Sequence, residues 1–441
     1  MKKTLLLLLV LTGLSANAQF WTVKSTGFAT VSRGLGSISI VDANNVWAMA
    51  VDGSAAASNT VKEITRSTDG GNTWTPTTLT TANMGPGVAN LGLSSISAVS
   101  ATTAWISAFP GTGTPIGGVW KTVNSGANFT KQTTAAFTAA SFTNFVYFWD
   151  ANNGVTQGDP DPTAFEIYTT SNGGTTWTRV ATANIPATSP AGNEFGYSNN
   201  YYIAGNTIWF GTSSGRLYRS VDKGLNWTVS QAPAVTDFGS ATGGGAYAFA
   251  TPLNGLLVTK TGQIFNTIDG GTTYTEMAVT GFFTGDIAYV PGTTGAYVTT
   301  GTTGSSYTLD GGLTWTLIDA LQHTVVSFFD GNTGFTGGFT TSATVGGVSK
   351  YTGTVLKTDT FNASKFSTYP NPVSDNVTIS NSDNILLTDV SITDINGRTV
   401  KSLKVNNLSE VQMNVAELTA GVYFMNVTTD FGKAVKKFIK N

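Results

Sequence analysis

Three observations predict an all-β chain built as a ring of similar sheets. One octapeptide pattern recurs six times. A pair of short apolar strands precedes each copy. Nothing after the first twenty residues carries the 3.6-residue apolar periodicity of a long amphipathic helix. The copies begin at Ser67–Trp74 (STDGGNTW). They continue with Thr122–Phe129, Thr170–Trp177, Ser220–Trp227, Thr267–Tyr274 and Thr308–Trp315. Their third positions are Asp69, Asn124, Asn172, Asp222, Asp269 and Asp310, spaced by 55, 48, 50, 47 and 41 residues. A repeat of about 40–50 residues with four strands per unit is the signature of a β-propeller blade.

The strand pairs set the blade count. They are clear at Ser37–Ala50, Ser95–Ala108 and Phe145–Gln157, and looser at Asn200–Gly211, Ala246–Thr259 and Asp286–Thr299. A seventh pair, Val325–Phe339, follows the last octapeptide and leads into Gly347–Gly353, with no octapeptide after it. Near the N-terminus, Phe20–Ser25 (FWTVKS) resembles the strand that follows an octapeptide, such as Asn226–Ser230. Seven blades are the best count, against six or eight. On this count the N-terminal segment supplies the outer strand of the last blade and so closes the ring without an open sheet edge.

Within each octapeptide the Asp or Asn accepts backbone hydrogen bonds from its own turn, and the glycine permits positive φ. The closing aromatic (Trp74, Phe129, Trp177, Trp227, Tyr274, Trp315) covers apolar surface beneath the hairpin. Such a box fixes a turn between the third and fourth strands and carries no acid–base pair.

The chain has 441 residues and a formal net charge of −2; 11% of its residues are charged, against the roughly 25% usual in soluble domains. Without a Lys/Arg stripe it has no footprint for nucleic acid. It has no cysteine, which removes disulfides, thiolate metal sites and a cysteine nucleophile. No metal site or cofactor is expected. Residues 1–18 read as a secretory signal peptide, with Lys2 and Lys3, an apolar run to Leu14 and an Ala16-Asn17-Ala18 cleavage site. No other stretch approaches the ~18 apolar residues of a transmembrane helix. The remainder divides into a propeller over 19–356, a polar linker over 357–365 and a small immunoglobulin-like β-sandwich over 366–441. The sandwich is expected from short strands at Val377–Ser380, Val390–Thr393, Thr399–Val405, Val411–Val415, Val422–Thr428 and Ala434–Ile439.

The six boxes resemble those of Asp-box (BNR) propellers, a group that includes sialidases, xyloglucan hydrolases, sortilin-type receptors and photosystem II assembly-factor-like proteins. The resemblance covers roughly residues 19–353 and implies architecture rather than chemistry. A sialidase-like site would need three carboxylate-clamping arginines. The mature propeller has only Arg33, Arg66, Arg179, Arg216 and Arg219, and Arg66 and Arg219 directly precede boxes. Four patterns are similar to the assembly-factor-like branch: Arg33-Gly34-Leu35, Asn153–Pro160, Gly192-Asn193-Glu194 and Ala288–Gly292. Leu91 and Phe282 or Phe283 stand where those relatives tend to carry further arginines.

Residues 366–441 resemble the type A C-terminal sorting domain of the Bacteroidetes type IX (Por) secretion system. The matching segments are Tyr369-Pro370-Asn371-Pro372, Asp394–Arg398 with Gly397, Leu418–Tyr423 with Gly421 and Tyr423, and the tail containing Lys436 and Lys437. The resemblance implies recognition by the outer-membrane translocon, removal by a sortase-like protease, a Gram-negative source and a secreted or cell-surface destination.

Candidate site residues are sought on the face opposite the boxes. Arg33, Asp159, Asp161, Glu194 and Arg216 are the ligand-binding candidates, and Asp159 and Glu194 the candidate catalytic carboxylates. His323, the lone histidine, reads as structural. The expected protein is a monomeric, non-catalytic binding propeller for an extracellular glycan or protein. An assembly role for a surface complex rests on the family alone. The alternative is a glycan hydrolase, which would set two carboxylates about 5–9.5 Å apart across a sugar.

Overall fold

The computed structural model describes residues 20–54, 61–111, 117–138, 141–161, 163–342, 344–356, 366–381, 387–429 and 432–441. The signal peptide and linker expected from the sequence lie outside them. Seven blades of four antiparallel strands form the ring, as five separate four-stranded sheets and one eight-stranded sheet that contains blades 1 and 7. Their inner strands are Arg33–Ile40, Leu91–Ala98, Thr143–Phe148, Gly196–Ala204, Gly245–Phe249, Asp286–Tyr289 and Val326–Phe328. These open blades 1 to 7. β-Branched and aromatic residues alternate along the strands and meet between adjacent sheets, as where Trp105 stacks on Phe148 at 3.5 Å and Trp209 on Phe249 at 3.8 Å.

The ring closes as the sequence predicts. Trp21–Ser25 pairs antiparallel with Gly347–Tyr351, so blade 7 takes its outer strand from the N-terminus. Trp21 is buried, donates its indole N–H to Ser305 Oγ at 3.1 Å and packs near Phe328 and Tyr351. A further bridge between Gly34 and Phe339 joins blades 1 and 7.

Each box turns the chain between third and fourth strands. In blade 1, Asp69 Oδ1 accepts N–H bonds from Asn72 at 3.0 Å and Thr73 at 2.9 Å, and Oδ2 accepts the Thr73 hydroxyl at 2.6 Å. The Thr73 hydroxyl and N–H are the main reasons that the Asp69 carboxyl is held down at about 2. Gly71 sits at φ +81°, and a Cβ there would meet Phe335 at 2.2 Å, so the box also seats blade 1 against blade 7. Trp74 folds back to donate to the Gly71 carbonyl at 3.2 Å. The same bonding recurs around Asp222, Asp269 and Asp310, and the asparagines Asn124 and Asn172 make its neutral version.

The C-terminal residues form two facing sheets, one of three strands and one of four, with their own core around Val377, Ile392, Met425, Val427 and Phe438. The six expected strands are present. A seventh, Phe366–Tyr369, is not among the expected strands. It pairs with Asn376–Asn381 because Phe366 is buried in the sandwich core.

Candidate functional site

Box turns and the turns between first and second strands share one face, as the Gly70 N–H bond to the Asn44 carbonyl at 2.9 Å illustrates. Antiparallel order then puts the starts of the inner strands and the second-to-third strand turns on the other face. The sequence-selected residues lie on that second face, yet they do not form one cluster.

Arg33 is held within blade 1, donating from Nε to Glu63 at 2.7 Å and lying 3.2 Å from Asp52. Asp161 meets Arg179 at 3.4 Å in blade 3, and Arg179 also reaches the fully buried Glu166 at 3.3 Å. Glu194 is sealed in blade 4. Its Oε1 accepts the Thr212 hydroxyl at 2.5 Å, and its Oε2 accepts the Ser189 N–H at 2.7 Å and Arg216 Nη1 at 2.8 Å. Arg216 also donates to the Ala187 carbonyl at 3.1 Å and lies over the Tyr218 ring. Three blades thus use the same device, an arginine clasping carboxylates of its own blade. His323, likewise buried, is 3.0 Å from Asp319 and packs beside Trp21.

Asp159 stands apart. It is part-buried at the end of the second strand of blade 3. Its Oδ1 accepts the Asn144 amide at 2.8 Å and the Gly196 N–H at 3.0 Å. Burial raises its pKa, and the two donors only partly offset that. It lines a pocket of about 530 Å³ with Phe142, Phe195, Gly196, Tyr197, Ser198, Asn200 and Gly239; Glu194 is not on that wall. Phe142 is backed by Phe109, stacked at 3.9 Å, and Tyr197 donates its hydroxyl to Asp237 at 2.5 Å. Sequence reasoning selected Asp159 but missed these rings. The only available signal was aromatic residues beside Gly or Asp in connecting loops.

The axis holds a larger cavity, about 1020 Å³, walled by inner strands of all seven blades. Tyr147, Tyr201, Tyr202 and Tyr289 line it, together with Asp286 and Lys260. Burial pushes Asp286 up to about 6, although the Val326 and Ile287 N–H groups and the Lys260 charge oppose the shift. The inner strand of blade 4 bulges between Gly196 and Tyr201. At the bulge Asn199, at φ +56°, crosses to blade 1, accepting from Ser37 Oγ at 2.8 Å and donating to the Gly36 carbonyl at 2.9 Å. Blades 1 and 4 lie nearly opposite in a ring of seven, so this contact spans the axis. Among the described residues, no group of three or more His, Cys, Asp or Glu side chains is placed to hold a metal ion.

Two solved structures share the propeller. The chain is similar to YCF48 bound to a D1 peptide, with 15% identity and a TM-score of 0.52, covering 75% of this chain and 96% of that one. It is also similar to YCF48 from Cyanidioschyzon merolae, with 16% identity and a TM-score of 0.53, covering 75% and 99%. At these identities the likeness concerns the fold. No curated protein sequence matches the chain significantly. No described helix is long and apolar enough to cross a membrane. Residues 367–441 match the secretion system C-terminal sorting domain. The two-sheet sandwich is therefore the sorting domain, and the chain is a β-propeller protein secreted through the type IX system to the cell surface or the extracellular space.

Proposed function

We propose that the propeller is an Asp-box module that binds an extracellular ligand without catalysis, through the face opposite its boxes. The observation that carries this reading is the separation of the two candidate carboxylates. Asp159 faces the mouth pocket, whereas every Glu194 oxygen is occupied by Thr212, Ser189 or Arg216 inside blade 4. A glycosidase needs one carboxyl group free to protonate the leaving oxygen and another free to attack or to activate water. A carboxylate saturated by an arginine and three neutral donors serves neither role. The arginines that would hold an acidic sugar are likewise spent on Asp52, Glu63, Asp161, Glu166 and Glu194. Rigid blades carrying a loop-built mouth suit recognition, and YCF48, alike in fold, has been solved with a peptide bound.

In this reading residues 19–356 are the cargo. The sorting domain is cut away by a sortase-like protease within 357–365 after the translocon has read it, and the propeller is released or attached at the surface. The test is hydrolysis of a panel of extracellular polysaccharides by the purified mature protein. No turnover is expected. Turnover that disappears in Asp159→Asn would overturn the binding assignment. Deleting 366–441 should leave the propeller in the periplasm.

A further inference from the structure

We propose that the mouth pocket around Asp159 binds an ammonium group carried on an apolar stem, such as an alkylamine, an arylalkylamine or the end of a lysine side chain. The inference rests on the binding reading above and names the chemistry that the site selects.

Three features point to this ligand. First, the carboxylate is incompletely satisfied. Oδ1 takes both available donors, Asn144 and Gly196, and among the described residues none donates to Oδ2. Second, no lysine or arginine is among the described residues that line the pocket. Asp237, which accepts the Tyr197 hydroxyl, adds negative potential behind that ring. Third, the walls are aromatic. Phe142 is pinned by Phe109, Tyr197 by Asp237, and Phe195 meets Tyr197 edge-on at 5.4 Å while remaining 42% exposed.

A carboxylate enclosed by aromatic rings attracts a cation twice, through the ion pair and through the π faces. A neutral molecule of the same shape fills the space but leaves the carboxylate without a counter-ion. A polyhydroxylated sugar would ask for several convergent hydrogen-bonding groups. Here the walls offer mainly rings, one carboxylate, Ser198 and Asn200. The pocket volume of about 530 Å³ accommodates an aryl or butyl stem with its head group.

The experiment is calorimetric titration of the mature full chain with benzylamine and with benzyl alcohol at neutral pH. A second arm uses a short peptide containing one lysine and the same peptide with that lysine acetylated. Benzylamine should bind at least about tenfold more tightly than benzyl alcohol. The lysine peptide should likewise exceed its acetylated form if the natural source is a protein, and should bind no better than it if the source is a free amine. Asp159→Asn should erase the preference for the charged probe. Phe195→Ala, a change at an exposed ring that leaves the core intact, should weaken benzylamine about three- to tenfold. Equal affinity for charged and neutral probes, no binding of either, or an unchanged affinity in Phe195→Ala would overturn the assignment. Polysaccharide hydrolysis by the same preparation would overturn the binding reading itself. Missing charge selectivity without hydrolysis would overturn only the ligand class.

Discussion

Arg216→Met decides whether Glu194 is a structural carboxylate. In the native protein Glu194 is fully buried and receives four donors, the shortest being the Thr212 hydroxyl at 2.5 Å and the Ser189 N–H at 2.7 Å. Methionine keeps an apolar chain of similar length but removes the guanidinium, which also lies over the Tyr218 ring, leaving a buried carboxylate with three neutral donors. Breaking a buried pair from one side costs about 3–5 kcal/mol. Arg216 is 16% exposed, so water can replace part of the lost interaction, and the lower end, about 3 kcal/mol, is expected. Glu194→Gln should cost less, about 1–2 kcal/mol, because the arginine left behind can turn toward water. The double variant should then be at least ~1 kcal/mol more stable than the sum of the two losses, since the pair is removed together. Urea unfolding of the mature chain reads these values as shifts in midpoint at constant slope. A loss below ~0.5 kcal/mol for Arg216→Met, or strict additivity in the double variant, would refute the reasoning. Glu194 would then return as a candidate acid.

Three further outcomes follow from the ring and its charges. Trp21→Ala removes a buried indole from the closing strand and should cost about 3–5 kcal/mol; a change under 1 kcal/mol in the unfolding free energy would show that closure does not depend on it. Asp69→Ala removes a carboxylate with four donors from its own turn and should cost about 2–3 kcal/mol while leaving ligand affinity at the opposite face unchanged, as calorimetry would check. Asp286 titrates at about 6 in the folded chain, above the ~3.9 of an unfolded aspartate, so the native state holds its proton more tightly. Its contribution is therefore favourable at low pH and is lost as pH rises from about 4 through 6. Asp286→Asn should accordingly raise the melting temperature more at pH 7.5 than at pH 4.5, and an equal shift at both would contradict the assignment.

Much of the architecture was legible because its determinants are local. Asp69 bonds to Asn72 and Thr73, three and four residues away. A turn of that kind writes itself as an octapeptide, and six octapeptides mark six of the seven blades. The absent seventh copy and the likeness of Phe20–Ser25 to a fourth strand were enough to predict ring closure, now seen in the pairing of Trp21–Ser25 with Gly347–Tyr351. The sorting domain was readable for a similar reason, since its turns and strand ends recur as short motifs in order.

The site behaved differently. Arg33, Asp159, Glu194 and Arg216 lie at strand ends away from the boxes, yet which charge meets which depended on strand register and loop path. Arg33 finds Glu63 thirty residues on, and Glu194 finds Arg216 twenty-two residues on. The bridge from Asn199 to Ser37 spans 162 residues and exists only because the ring brings opposite blades together. Sequence alone determined the fold class and pointed to seven blades, with six or eight left open, and to the closure, because hydrogen bonds within four residues and strand periodicity encode them; the secretion route was legible through the resemblance of the C-terminal motifs to a sorting domain. Only the tertiary structure decided that three arginines are spent inside their own blades while Asp159 keeps an oxygen facing a pocket of aromatic rings, because those pairings arise between segments that are distant along the chain.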